Sequence, residues 1–268
     1  MISGPDGLGE GLRTVSQAGV PTFNGKRWKP HLHEKLYCFS HPKPVAYIGS
    51  FNPSGDDPEL DPDIIHEIGD HDRGHNVLIG LYDPLLVGCL MTNARCLYRM
   101  RYVGLHRFSI LTNRKYVGND TEIHFWPRIS PHPVKKFLNR IGPGARIRIA
   151  ASHIKGRSIA KVLIGFARQG ARLEILADST HRRVPAAIEK MLIDAGILFR
   201  RVNNAEGLPM HNKFILVEKN NHRWVIFGSF NWTTRSYWLN HEIGAISTDQ
   251  KLFDAFAERW ESLNTQAG

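Results

Sequence analysis

Residues 211–231 read HNKFILVEKNNHRWVIFGSFN, and residues 33–52 read HEKLYCFSHPKPVAYIGSFN. Both stretches open on His-x-Lys and close on Gly-Ser-Phe-Asn. The step from lysine to glycine is 15 residues in one (213 to 228) and 14 in the other (35 to 49). The match runs outward. Gln17-Ala18-Gly19-Val20 lies before the earlier stretch and Asp194-Ala195-Gly196-Ile197 before the later one. After them, His75-Asn76 aligns with His241-Glu242, and Asp83 with Asp249, each aspartate heading an apolar helical pattern. The chain therefore carries an internal repeat of one supersecondary unit.

The surrounding pattern gives the fold class. Ala145–Ala151 and Ala171–Ala177 read as strands. Ser158–Arg168 and Pro185–Ala195 have the apolar spacing of helices. Ile197–Val202, Lys213–Val217, Trp224–Phe227 and His241–Ser247 follow as strands, with Asn220-Asn221 as a turn, and a helix closes the chain from Asp249. The expectation is an α/β protein of two pseudo-repeated lobes, residues 1–124 and 125–268, each a mixed sheet flanked by helices. The strand–helix–strand unit over about 145–178 has no equivalent ahead of the first repeat, so the first lobe is expected to be shortened.

Composition narrows the class. With 268 residues, 42% of them hydrophobic and 22% charged, the chain has enough apolar surface to bury a core. Three cysteines (Cys38, Cys89, Cys96) make neither a disulfide framework nor a Cys-x-x-Cys zinc site. The opening MISGPDGLGEG lacks the basic and apolar regions of a signal peptide. The longest apolar stretch, Val77–Met91, is broken by Asp83-Pro84 and is too short to span a bilayer. The expected location is cytoplasmic, with peripheral contact at a membrane. A formal net charge of +10 favours anionic partners: nucleic acid, anionic lipid or phosphorylated small molecules.

The repeat carries chemistry because strand residues i and i+2 share a face. His33 with Lys35, and His211 with Lys213, project together. Ser50 with Asn52, and Ser229 with Asn231, project from a neighbouring strand, with Phe51 and Phe230 turned inward. Two such repeats facing each other make a phosphate site. The lysines neutralise non-bridging oxygens, the serines and asparagines bind them, one histidine attacks phosphorus and the other protonates the leaving oxygen.

The paired motif resembles the signature of the phospholipase D superfamily, HxK followed by GSxN, twice, and the resemblance covers essentially the whole chain. It implies a phosphodiesterase or phosphatidyltransferase working through a covalent phosphohistidine, with no metal or organic cofactor. By that resemblance His33 is the nucleophile and His211 the acid. The family's acid five residues after the lysine is Glu218 in the later copy; the earlier copy has Ser40 there. Glu242 matches a carboxylate that orients a histidine and is expected to support His211. Its counterpart in the first half is Asn76, with Glu67 as a substitute.

Other features carry less. His66, Glu67, Asp70, His71, Asp72 and His75 are ligand types in number, but their spacing fits no zinc helix and a loop is the expectation. Trp232, Tyr237 and Trp238 line either a groove beside the phosphate or the core. A phospholipid is the favoured substrate. The alternatives are a nuclease acting on DNA or RNA, and a catalytically silent phosphate-binding module. Oligomeric state is not legible.

Overall fold

The structure, a computed structural model, describes residues 2–3, 23–24, 32–52, 75–99, 103–129, 132–203 and 208–268. Its strands of four or more residues are β1 (Leu36–Phe39), β2 (Val45–Gly49), β3 (Leu78–Leu81), β4 (Thr121–Trp126), β5 (Arg146–Ala151), β6 (Arg172–Asp178), β7 (Leu198–Val202), β8 (Lys213–Lys219), β9 (His222–Gly228) and β10 (Glu242–Ser247). The longer helices are α1 (Pro84–Arg99), α2 (Pro133–Ile141), α3 (Arg157–Arg168), α4 (Ala186–Asp194) and α5 (Gln250–Asn264).

Among the described residues the large sheet runs β7-β6-β5-β8-β9-β10-β4, with Tyr116–Val117 added beyond β4. Strands β5, β6 and β7 are parallel, and the remaining pairings are antiparallel. The small sheet, β1-β2-β3, is antiparallel throughout. The expected α/β class holds, and among the described residues the mixed pairing lies in the large sheet. Strand β4 crosses the expected boundary at 124/125 and pairs with β10, so the large sheet takes in residues from before that point.

The two sheets contain the same three-stranded unit in the same register. Leu36 pairs with Ile48 as Phe214 pairs with Phe227, and Gly49 with Leu78 as Gly228 with Gly244. Each unit ends on an aspartate that caps a helix. Asp83 Oδ1 accepts the Leu85 and Leu86 amides ahead of α1, and Asp249 Oδ1 accepts those of Lys251 and Leu252 ahead of α5. The β8–β9 hairpin turns on Asn220 and Asn221, both at positive φ (47° and 63°), the conformation such a two-residue turn requires. Counterparts of β5, β6 and β7 are absent from the small sheet among the described residues.

Alternation along the large sheet builds two cores. Ile147, Ile149, Ile215 and Ile226 face α2, α3 and α4. Ala150, Phe214, Leu216 and Phe227 face the other way, into a core shared with α1, α5 and the small sheet's Ala46 and Ile48. Helices α1 and α5 thus lie between the two sheets. Burying Phe214 and Phe227 against α5's Phe256 and Trp260 contributes about 2 kcal/mol per side chain. Apolar residues on both faces explain why β8 reads as a continuous hydrophobic run.

Candidate active site

The two repeats are stitched together at their motifs. The His33 amide donates to the His241 carbonyl (2.9 Å), and the His211 amide donates to the His75 carbonyl (3.1 Å). Each repeat's motif histidine is thereby tied to the other repeat's third strand. Both histidines lie just before β1 and β8 rather than on them. Lys35 and Lys213 each fold back to donate Nζ to the carbonyl of the histidine two residues earlier, both at 2.9 Å.

The glycine of each Gly-Ser-Phe-Asn permits the close approach this needs. A Cβ at Gly49 would meet the Val77 carbonyl oxygen at 2.1 Å, and one at Gly228 the Ile243 oxygen at 2.2 Å. The next residue then hydrogen-bonds that same carbonyl: Ser50 N to Val77 O, and Ser229 N to Ile243 O, both 2.9 Å.

The side chains exchange partners across the repeat. His33 Nδ1 is 2.7 Å from Glu242 Oε2, whereas His211 Nδ1 is 2.9 Å from Asn76 Oδ1. Glu242 reaches His33, not the His211 of its own repeat as its position in the sequence suggests. The reason is the stitching, which sets each third strand against the opposite histidine.

The serines fix the tautomers. Ser229 Oγ accepts the Ile243 amide and donates to Glu242 Oε2 at 2.5 Å. Ser50 Oγ accepts the Val77 amide and donates to Asn76 Oδ1 at 3.1 Å. An acceptor oxygen therefore faces each Nδ1, so each Nδ1 carries the proton and the lone pair of the neutral ring is on Nε2. Ser50 and Ser229 are fully buried with their protons committed, so they hold the histidine partners instead of binding phosphate as expected. Glu242 receives two further bonds at Oε1, from Ser236 Oγ (2.8 Å) and Asn240 Nδ2 (3.2 Å), and is itself fully buried. The Ser236…Asn240-x-Glu242 spacing was in the sequence, but nothing local marks it as one network.

The electrostatics follow from burial. Burial opposes ionisation of Glu242, but His33, Lys35 and the Ser229 bond hold it down at about 2, so it is ionised. Burial pulls His33 down to about 4 against the opposing field of Glu242, which leaves a neutral imidazole at pH 7. The His33 side chain keeps 15% of its surface exposed, enough for a ring edge to be reached. Burial lowers Lys35 to about 8 despite Glu242. Burial, Lys35 and Arg183 push Lys213 well below its ordinary value. An anion placed beside them would favour the ammonium form of both lysines.

The remaining expected residues divide. Asn52 and Asn231 follow the serines beyond the ends of β2 and β9, and Asn231 Oδ1 is buried without a hydrogen-bond partner. Glu218 lies five residues along β8 from Lys213, about 17 Å at strand rise. It pairs with Arg148 Nη2 at 2.7 Å, so it supports the sheet and not the site. Trp232 and Tyr237 are core, and Trp238 is exposed. Glu67 and the ligand-type residues 66–72 lie outside the described residues. Among the described residues no cluster of histidine, cysteine or carboxylate has the makings of a metal site, and no helix is long and apolar enough to cross a membrane.

Residues 139–264, which hold β5 to β10 and the later motif, match the family model described as "Cardiolipin synthase, PLD-like domain". The later half of the chain thus carries a phospholipase D-like domain. A mitochondrial cardiolipin hydrolase from Chlamydomonas reinhardtii is 27% identical over 135 residues, 50% of this chain and 58% of that protein. Its human namesake is 30% identical over 96 residues, 36% of each chain. The aligned stretches thus span less than two thirds of these relatives' own length. The solved phosphatidylserine synthase of Haemophilus influenzae aligns with 89% of this chain and 62% of its own at a TM-score of 0.59 and 10% identity, a likeness of fold. The fold shared with that synthase thus extends over the small sheet as well as the matched half.

Proposed function

We propose that this chain is a phosphodiesterase of the phospholipase D type that acts on phospholipids through a phosphohistidine on His33. The observation that carries the reading is the unequal pairing of the two histidines: an ionised carboxylate on His33 and a neutral carboxamide on His211.

Neutral His33 attacks phosphorus through Nε2 while its Nδ1–H stays on Glu242, whose charge stabilises the imidazolium character that develops. The bond from phosphorus to the leaving oxygen breaks, and His211, entering protonated, gives that oxygen its Nε2 proton. Water then yields a proton to His211 and attacks phosphorus, and His33 departs neutral. Lys35 and Lys213 balance the charge of the non-bridging oxygens, and Asn52 and Asn231 donate amide protons to them. The phospholipid choice is supported by relatives named cardiolipin hydrolases.

The test is rapid quenching in EDTA with a phosphate-labelled phosphatidyl ester, beside a plasmid. Label on His33, stable to base and released by acid, is the expected result, and His33→Ala removes it. With a p-nitrophenyl ester, whose leaving group needs no proton, His211→Ala still labels His33, whereas with the lipid it loses about 100- to 10,000-fold in rate. Label on His211 in the wild type overturns the assignment. Plasmid cleavage without lipid cleavage moves the substrate to nucleic acid.

A further inference from the structure

The parallel strands β5 and β6 end at the cleft beside Lys213, the end of such strands where ligands gather. The segment following β5 is fastened there on three sides. Ser152 N donates to Asn212 O (3.1 Å), the Trp232 amide donates to His153 O (3.0 Å), and Ile154 N donates to Arg183 O (3.2 Å). Lys155 pairs in register with Thr233, two residues after Asn231.

Three cations meet on this rim: Lys155, Arg182 and Arg183. Arg183 is buried and built in, 3.4 Å from Asp178 Oδ2 and donating to Ser152 Oγ at 3.3 Å. Asp178 in turn takes the Met210 amide at 3.0 Å, so the rim is joined to the residue before His211. Arg183 lies close enough to repel both Lys213 and Lys155, and Arg182 repels Lys155 as well. Among the described residues Lys155 and Arg182 have no acidic partner. Helix α3 starts at Arg157, two residues after Lys155, with Gly156 as its N-cap and no side-chain cap, and adds the positive end of its dipole. Among the described residues Asp178 is the acid ion-paired with these cations, through Arg183, and the phosphate mechanism uses none of the three.

We propose that Lys155 and Arg182, backed by Arg183, form a subsite for a second phosphate, held beside the one that reacts. The ligand chemistry is a pair of phosphates bridged through oxygen by three carbons, as in a diphosphatidylglycerol lipid and between neighbouring phosphates of a nucleic acid. This rests on the phosphodiesterase reading of the site and adds its substrate class. The second phosphate lies on the large-sheet side of Lys213, which fixes the direction in which the substrate lies across the cleft.

The test pairs substrates that differ by one phosphate: phosphatidylglycerol with cardiolipin in mixed micelles, and the dinucleotide TpT with pTpT. The wild type is expected to favour the two-phosphate member of one pair by about tenfold in kcat/KM, carried by KM. Lys155→Ala/Arg182→Ala is expected to erase that preference while phosphatidylglycerol or TpT kinetics stay within about twofold. The pair that shows the preference tells the lipid source from the nucleic-acid source. Equal losses on both members, or a preference that survives the double variant, overturn the subsite. Calorimetry with propane-1,3-diol bisphosphate against propyl phosphate gives a readout free of turnover. Tighter binding of the bisphosphate that the double variant loses upholds the subsite even if no substrate is cleaved, a result that would sink the catalytic reading alone. Equal binding of the two probes sinks the subsite.

Discussion

Glu242 and His33 are contributed by opposite repeats, yet Glu242 Oε2 and His33 Nδ1 stand 2.7 Å apart. The same exchange gives His211 the carboxamide of Asn76 at 2.9 Å. The two histidines share a backbone setting and differ in the charge behind them.

Glu242→Gln keeps an oxygen for His33 and removes the charge. The expected result is a loss of about 10- to 100-fold in kcat, the range for a partner that orients a reacting imidazole. Glu242 raises the His33 pKa by favouring the imidazolium. Its removal therefore shifts the acid limb of the kcat/KM profile to lower pH, below the limb near 4 expected of the wild type. A pH–rate series on a chromogenic phosphodiester reads both effects; an upward shift contradicts the assignment.

Asn76→Asp places a carboxylate of the same shape against His211. The Ser50 hydroxyl and the His211 Nδ1–H both still find an acceptor. An opposite charge at this range stabilises the protonated imidazole, so the alkaline limb of kcat should rise by about 1 to 2 pH units. An unchanged alkaline limb means His211 is not the acid.

Ser236→Ala strips one hydrogen bond from a fully buried carboxylate. Calorimetric unfolding should show a cost of about 1 to 3 kcal/mol. Because Ser236 acts through Glu242, kcat should fall with KM little changed, and Ser236→Thr should restore part of it. A fall in KM-controlled binding alone would place Ser236 against the substrate instead.

Gly49→Ala and Gly228→Ala each set a Cβ within 2.2 Å of a strand carbonyl. Both should destabilise by about 3 kcal/mol or more, because the obstruction is backbone and cannot swing aside. Near-equal losses in chemical denaturation are expected from the shared register, and a tolerated substitution at either site would show that the strand crossing there is looser.

Glu34 sits between His33 and Lys35 in sequence, with Oε1 buried and Oε2 accepting only from Asn93 Nδ2 at 2.7 Å. Burial, with some help from Glu242, pushes its carboxyl up to about 8 against the Asn93 bond. A folded-state pKa above the unfolded value of 4.5 means the native state binds the extra proton between about pH 4.5 and 8, and stability falls as pH rises through that window. Glu34→Gln should therefore raise Tm at pH 8 more than at pH 5. An equal change at both pH values removes Glu34 as the source.

Much of this was legible from the paired motif, because strand alternation and equal spacing are local properties of a chain. The register of His75-Asn76 against His241-Glu242 came from the same source. What escaped was everything that depends on how the two units face each other. Glu242 reads as the partner of the histidine nearest it in sequence, and only the crossed backbone bonds to His241 and His75 reveal the exchange. Ser50 and Ser229 read as phosphate ligands because a hydroxyl on a glycine-bearing strand end is a good one. Their hydroxyls are instead taken by neighbours that alignment brings no nearer. Glu218 reads as site chemistry by its distance from Lys213 along the chain, while the strand carries it to Arg148.

The crossed bonds also bear on how a duplicated chain acquires a direction. With identical halves, each histidine would meet the same residue, and attack from either side would be equally good. A difference at one aligned position, Asn76 opposite Glu242, ends that equivalence and assigns donor and acceptor roles to what began as copies. Because each half supplies the residue that instructs the other, neither half expressed alone contains a complete dyad, and the halves can no longer be interchanged.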